Sequence, residues 1–136
     1  MNALKQLVKE RPKSAPEIVA KAVSALQQID VTARERALEA ALDRCSRYLQ
    51  YMKYTLFGDD GYDPTKDAVI NLALEVVKTD FLLLLVQRLS LLSFEARKDA
   101  AQVFGAVVRI KDQADASPGA QYVQKHANIL QMLFEG

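Results

Sequence analysis

The side chains best suited to chemistry in this chain are its single histidine, His126, and its single cysteine, Cys45. Hydrolysis by a nucleophile–His–Asp constellation needs a strained turn that exposes the nucleophile, and no Gly-x-Ser-x-Gly or similar motif occurs. A zinc site needs about four ligands, which one cysteine and one distant histidine cannot supply. We therefore predict a surface or partly packed His126, a buried structural thiol at Cys45, and neither a catalytic site nor a cofactor.

A second possible chemistry is calcium binding by three neighbouring aspartates, Asp59, Asp60 and Asp63. The EF-hand loop requires alternate acidic ligands, a glycine at its sixth position and a glutamate at its twelfth. Counted from Asp59, Gly61 is third and Ile70 is twelfth. The sequence thus predicts a solvated loop between two helices rather than a metal site.

The charge pattern bears on nucleic-acid binding. The formal net charge is +1, which gives no overall attraction to phosphate. One predicted helix carries the basic residues Arg34, Arg36, Arg44, Arg47 and Lys53. Glu35, Glu39 and Asp43 lie among them, and Asp43 has the i,i+4 spacing for an ion pair with Arg47. The pattern predicts an ion-paired outer face and no nucleic-acid partner.

Length and composition favour one intracellular domain. Of the 136 residues, 50% are hydrophobic and 26% are charged, which is typical of a globular chain that buries about two thirds of its unfolded surface. Charges interrupt the apolar stretch at the N-terminus, unlike in a signal peptide. The most apolar run, 81–92, contains Gln87 and Arg88 and is shorter than the roughly twenty residues of a membrane span. We expect a cytoplasmic protein without membrane insertion.

The elements that must position any site are all helical, because sustained period-two alternation is missing. Ser14 with Pro16, then Thr32 and Ser93, are N-cap signals, and Gly58 predicts a left-handed C-cap. The predicted helices span 14–28, 32–58, about 64–77, 81–89 and 93–109, with one or two short helices over 120–134. The third helix is expected to bury Ala68, Val69, Leu72, Val76 and Val77.

The helix over 93–109 has two contrasting faces. Its predicted buried face consists of Ala96, Ala100, Val103, Phe104, Val107 and Val108. The opposite face carries Lys98, Gln102, Gly105 and Arg109. In α-solenoids, which are stacks of helical repeat units, the last helix of each unit usually lines the concave surface. Lys98, Gln102 and Arg109 are therefore the candidate partner-binding residues. Simple solvation is the competing explanation for each of them.

Short helices, tight corners and one helix that is apolar nearly all round favour an α-solenoid of armadillo or HEAT type. A helix such as 81–89 must be covered on several sides. No repeat at a fixed period is visible in the sequence. On the residues alone, a plain helical bundle therefore stays open as the alternative fold.

Four segments, in order, match motifs of one protein family. They are Lys13–Val19 (Lys-Ser-x-x-x-Ile-Val), Tyr48–Gly58 (Leu-x-x-Met-Lys-x-x-Leu-x-Gly), Leu89–Arg109 (a Phe-Glu-x-x-Lys-Asp corner between two helices) and Tyr122–Gly136 (Asn-Ile-Leu-x-Met-Leu-x-x-Gly). The chain resembles the calcium-binding protein 39 family, the "Mo twenty-five" kinase scaffolds. The resemblance implies an all-α fold, a right-handed α-solenoid of degenerate armadillo/HEAT-like repeats. It also implies that 1–136 is a single armadillo-like domain, the N-terminal repeats of a longer member.

The resemblance implies a function as well. Family members are non-catalytic scaffolds that bind a serine/threonine kinase or pseudokinase of the germinal-centre/STRAD type and hold its active conformation. Their best-defined kinase contacts lie in later repeats, so none of those residues transfers to this sequence. Two other interpretations remain open: a helical-repeat interaction module unrelated to kinases, and a truncated fragment without function.

The last residues carry one further expectation. A run of large apolar side chains comprises Ile129, Leu130, Met132, Leu133 and Phe134. Without a following repeat these side chains would form an exposed apolar patch. We expect either that a further repeat covers this edge or that the edge serves self-association.

Overall fold

The computed structural model describes residues 14–30, 34–58, 61, 63–126, 129 and 131. Within these ranges every regular element is helical, which confirms the predicted all-α class. The α-helices are α1 (Ala15–Gln28), α2 (Glu35–Phe57), α3 (Lys66–Val77), α4 (Phe81–Arg88), α5 (Phe94–Arg109) and α6 (Pro118–Lys125). A single 3-10 turn, Leu89–Leu91, connects α4 to α5.

Hydroxyl side chains begin four of these helices. The Ser93 Oγ accepts a hydrogen bond from the Ala96 amide at 3.1 Å, and Ser14 caps α1 in the same way. Such a bond satisfies one of the amides that the first turn leaves unpaired. Both predicted caps are confirmed by these bonds. Thr65 caps α3, one residue after the predicted start, and Ser117 caps α6.

The two ends of α2 differ from the sequence prediction. Thr32, predicted as its N-cap, lies outside the described residues, and Arg34 occupies the N-cap position without a side-chain cap bond. Gly58 does end the helix with a positive φ of 71°. Its ψ of −164° places it in an extended, glycine-favouring region and not in the predicted left-handed helical region.

The core is formed by apolar faces from all six helices. Helix α1 packs against α2, α3 and α4, while α5 packs against α2 and α6. Phe81, Leu82 and Leu85 of α4 are fully buried, and the remaining aliphatic residues of that helix are half-buried. The prediction that α4 is covered on several sides is therefore confirmed.

Some predicted core positions are wrong for α3. Ile70 and Ala73 are buried although neither belonged to the predicted stripe, whereas Ala68, Val69 and Val77 are only half-buried. Helix α3 contacts α1, α2, α4 and α6, so its burial spreads beyond one stripe and follows the contacts of four neighbours. Tyr51 of α2 is likewise buried without having been predicted.

The loop from α5 to α6 is closed by polar contacts that fix the position of α6. The Asp112 carboxylate accepts hydrogen bonds from the amides of Ala114 and Ala116 at 2.9 and 3.0 Å. Ser117 donates its hydroxyl to the Val108 carbonyl at 2.7 Å. Gly119 then lies so close to α5 that a Cβ there would be 2.5 Å from the Val107 carbonyl oxygen. Only a residue without a side chain fits this approach.

Near the end of the described chain, Ile129 is fully buried. The expectation that this residue belongs to an exposed apolar edge is therefore wrong, because the folded core covers it. The other members of the predicted patch, Leu130, Met132, Leu133 and Phe134, lie outside the described residues. Within the described ranges, no helix has both the length and the apolar character needed to cross a membrane.

Candidate functional site

Helix α5 places the three candidate partner-binding residues on its solvent side. Lys98, Gln102 and Arg109 are all exposed. They follow one another at helical spacing, and the opposite stripe of the helix, Ala96, Ala100, Val103 and Val107, is buried. The amphipathic pattern of α5 thus correctly predicts which side of the helix meets solvent. Phe104 and Val108, also predicted for the buried face, are only half-buried.

An aromatic side chain that the sequence analysis did not single out extends this surface. Phe94, the first residue of α5, is 67% exposed. The Lys98 Nζ lies 5.4 Å from the centre of its ring, and the same Nζ is 3.8 Å from a Glu95 carboxylate oxygen. A cation over an aromatic face is attracted by the ring quadrupole. We define the α5 outer face as Phe94, Lys98, Gln102 and Arg109.

The signal for Phe94 was present in the sequence. Phe94 is out of phase with the apolar stripe that starts at Ala96, so helical periodicity directs its ring away from the core. A large exposed aromatic residue next to cationic side chains is typical of interface anchors, in which Phe, Tyr, Trp and Arg are enriched. The exposed Phe94 therefore makes the α5 outer face a stronger candidate than its polar residues alone.

An ion pair holds α5 against α2. The Lys53 Nζ lies 2.8 Å from the Asp99 Oδ1, and their side chains are 34% and 15% exposed. Partial shielding from water makes this pair stronger than a fully exposed one. Because it joins two helices, the pair helps to hold α5 in place relative to α2.

The predicted ion-paired face of α2 differs in detail. No ion pair joins Asp43 to Arg47 among the described contacts, so that prediction is wrong. Arg44 instead donates a hydrogen bond to Gln28 of α1. Two of the basic side chains, Arg44 and Lys53, thus have partners on other helices, where sequence spacing alone predicted pairs along one helix.

His126 has a packing role. Its ring stacks on Tyr122, with the ring centres 4.1 Å apart, and its Nδ1 lies 2.9 Å from the Tyr122 carbonyl oxygen. The Tyr122 hydroxyl donates to the Asp80 Oδ1 at 3.3 Å, which connects α6 to the start of α4. Burial, and then the charge and hydrogen bond of Asp80, raise the pKa of Tyr122 to about 12. The phenol is therefore neutral at physiological pH and ill-suited to act as a nucleophile.

Cys45 is 1% exposed, as the sequence predicted for a buried thiol. Burial raises its pKa from 9.0 to about 11. The thiolate is the reactive form, so this cysteine is inert at neutral pH. Among the described residues, no group of three histidine, cysteine, aspartate or glutamate side chains could hold a metal ion. Asp59 and Asp60 lie outside those residues, and Asp63 is exposed.

These two raised pKa values predict a loss of stability in alkali. In the unfolded chain Cys45 and Tyr122 ionise at their ordinary pKa values, 9.0 and 10.0, whereas in the folded chain they ionise near 11 and 12. Rising pH therefore favours unfolding progressively between pH 9 and 12. The denaturation midpoint, measured against pH, should fall across this window. Cys45→Ala and Tyr122→Phe should each flatten the fall, and an unchanged profile in both variants would contradict the assignment.

Comparison with known proteins decides the family. A family model described as Mo25-like matches residues 6–136, which is nearly the whole chain. The chain belongs to the Mo25-like family. The resemblance seen in the four sequence segments is thereby confirmed, and the α5 outer face lies inside the matched region.

Individual relatives of this Mo25-like chain come from distant organisms. It is 33% identical over 103 residues to the human protein named "Calcium-binding protein 39-like", covering 76% of this chain and 30% of that protein. It is 30% identical over 136 residues to the "MO25-like protein 2" of Caenorhabditis elegans, covering 98% of this chain and 40% of the relative. The "Mo25-like protein" of Schizosaccharomyces pombe is 27% identical over 127 residues, with 93% and 37% covered. The chain thus spans well under half the length of these relatives.

Proposed function

We propose that this Mo25-like chain is a non-catalytic scaffold that binds a serine/threonine kinase or pseudokinase of the germinal-centre class. The observation that carries the proposal is the family match over residues 6–136, together with the exposed α5 outer face inside it. In this proposal the six described helices belong to a right-handed α-solenoid of armadillo-like repeats. These repeats form the N-terminal part of the scaffold architecture, and the protein acts in the cytoplasm.

The proposed mechanism is a shift of the kinase population toward its active conformation. A scaffold that binds the active conformation more tightly than the inactive one raises the active share without any chemical step. The surface must be rigid to discriminate between the two conformations. The fully apolar core beneath α5 and the Lys53–Asp99 pair beside it supply such rigidity.

The chemistry of the described residues supports a non-catalytic role. Cys45 and Tyr122 have raised pKa values and are protonated at neutral pH. His126 is held by Tyr122 through stacking and a contact to its carbonyl oxygen. None of these groups is arranged as an activated nucleophile with its base. The exposed Phe94 and Arg109, in contrast, are of the residue types that anchor protein interfaces.

Charge reversal on the α5 outer face tests this function. The double variant Lys98→Glu/Arg109→Glu should weaken binding to a germinal-centre kinase or pseudokinase by about tenfold or more, because interface cations lose both attraction and packing. The matched control is Lys21→Glu/Lys78→Glu, which reverses two exposed lysines, one on α1 and one directly after α3. Binding is measured by titration with immobilised kinase. Equal kinase affinities of the two double variants would exclude the α5 outer face as the kinase-binding surface.

A second candidate is a helical adaptor for a partner other than a kinase. The chain covers only 30% to 40% of the relatives' length, which leaves the larger part of the family architecture outside the matched region. Such an adaptor would use the same α5 outer face. Repeating the titration of the two double variants with non-kinase partners distinguishes the kinase scaffold from the general adaptor. A kinase-specific scaffold binds only the kinase panel.

A further inference from the structure

An apolar groove runs between α4 and α5, next to the α5 outer face. Its walls include Leu85, Val86 and Leu89 from α4 and the following turn, and Ala101, Phe104 and Gly105 from α5. The groove has a volume of about 200 Å³. That volume and apolar lining suit aliphatic side chains from a docked segment rather than a polar metabolite.

The α5 wall of the groove allows a close backbone approach. Ala101 is exposed, and Gly105 carries no side chain. A Cβ at Gly105 would have only the Arg109 guanidinium within 4 Å, so the space above this glycine is open. Small residues on one wall and branched aliphatic residues on the other let the ridge of a third helix insert between α4 and α5.

Helical spacing places two arginines near the groove, and a third arginine contacts its α5 wall. Arg88 follows Leu85 by one helical turn, Arg97 precedes Ala101 by one turn, and the Arg109 guanidinium lies beside Gly105. In the described structure none of these three arginines forms an ion pair. The Arg88 Nε is also buried without a hydrogen-bond partner, although its Nη1 donates to Gln87 at 3.0 Å. Among the described residues, these three arginines near the apolar groove thus have no carboxylate partner.

The acidic residues of α5 do not neutralise these three arginines. Asp99 is engaged by Lys53 on the α2 side of the helix. Glu95 lies near Lys98 at 3.8 Å and is directed to the outer face. Helix α4 contains no acidic residue at all. The electrostatic complement of the groove is therefore a negatively charged segment.

We propose that the α4–α5 groove is a docking site for an acidic amphipathic helix of a partner protein, with aliphatic side chains at i, i+3, i+4 and i+7 facing the groove and carboxylates facing Arg88, Arg97 and Arg109. This is the helix-in-groove mode of peptide recognition, in which apolar anchors give affinity and flanking charges fix orientation. The site goes beyond the kinase-scaffold function and does not depend on it. The groove and the α5 outer face share one residue, Arg109.

The test uses a defined probe, a fluorescein-labelled peptide of about four helical turns with leucines at those positions and glutamates elsewhere. Two control peptides have the same leucines with lysine for glutamate, and the same composition in scrambled order. Fluorescence anisotropy against the folded chain should show binding of the glutamate peptide. The affinity of each control peptide should be lower than that of the glutamate peptide by about tenfold or more.

Variants of the chain locate the binding. Ala101→Trp should fill the groove and lower the affinity for the glutamate peptide about tenfold, while Ala20→Trp, at an exposed alanine of α1, should leave it unchanged. Arg97→Glu should also weaken binding, with Lys21→Glu as its control.

Equal binding of the glutamate and lysine peptides, or an Ala101→Trp variant that binds as well as the parent, would overturn the proposal. A concentration-dependent dimer that Ala101→Trp dissociates would assign the groove to a second copy instead. None of these variants changes Phe94, Lys98 or Gln102, so failure here leaves the kinase test intact.

Discussion

Replacing Phe81 with alanine should lower the free energy of unfolding by about 3–5 kcal/mol, the largest effect that we expect from a single substitution in this chain. Phe81 is 0% exposed and is the largest fully buried side chain among the described residues. It begins α4, where its amide donates to the Thr79 hydroxyl at 3.2 Å. Removing the ring leaves a cavity among α1, α3 and α4 that a rigid core fills only in part. Equilibrium denaturation followed by far-UV circular dichroism measures the loss.

Two exposed phenylalanines serve as controls for Phe81. Phe57 and Phe94 are 51% and 67% exposed, so Phe57→Ala and Phe94→Ala should each cost less than about 1 kcal/mol. Phe94→Ala has a second use, because it removes the aromatic part of the α5 outer face without disturbing the core. A cost for Phe81→Ala no larger than for the two controls would contradict the packing of α4 described above.

Gly119→Ala should destabilise the fold by about 2–3 kcal/mol, because the new methyl group meets backbone that cannot rotate away. A Cβ at Gly119 would be 2.5 Å from the Val107 carbonyl oxygen and 2.9 Å from the Val108 Cα. Relief requires that α6 move away from α5. Thermal and denaturant unfolding, with native-state hydrogen exchange of the α6 amides, would measure both the loss and its location.

Gly105→Ala is the matched control for that substitution. Its nearest neighbour is the Arg109 Nη2 at 3.6 Å, an ordinary contact with a flexible side chain. Gly105 lies inside α5, where alanine is favoured over glycine by up to about 1 kcal/mol. Gly105→Ala should therefore maintain or raise stability. Equal effects of the two alanine substitutions would show that α6 is not packed on α5 as described.

The parts of the structure that sequence predicts well are those governed by local physics. Ser14 and Ser93 begin their helices because a hydroxyl can satisfy a free amide two or three residues later. The buried stripe of α5 follows from its periodicity, which also places Lys98, Gln102 and Arg109 on the solvent side. The motifs that carry the family resemblance lie in the same segments. The same residues therefore predicted both the helices and the family.

Long-range contacts account for what the sequence did not predict. Nothing local pairs Lys53 with Asp99, because 46 residues separate them along the chain. The close approach at Gly119 depends on the tertiary position of α6. The burial of Ile70 and Ala73 depends likewise on α3 having four helical neighbours. The α4–α5 groove needs two helices to exist, so no single-helix pattern could predict it.

The most direct test of the scaffold proposal is binding and activation of kinases by this chain. The chain would be immobilised beside its Lys98→Glu/Arg109→Glu variant and exposed to a panel of germinal-centre kinases and pseudokinases, with phosphorylation of a peptide substrate assayed for each bound kinase. We predict that the parent chain retains at least one member of the panel and raises its phosphorylation rate, and that the variant retains about tenfold less. If neither the chain nor a version extended to the length of its relatives binds any member, the kinase-scaffold function is wrong.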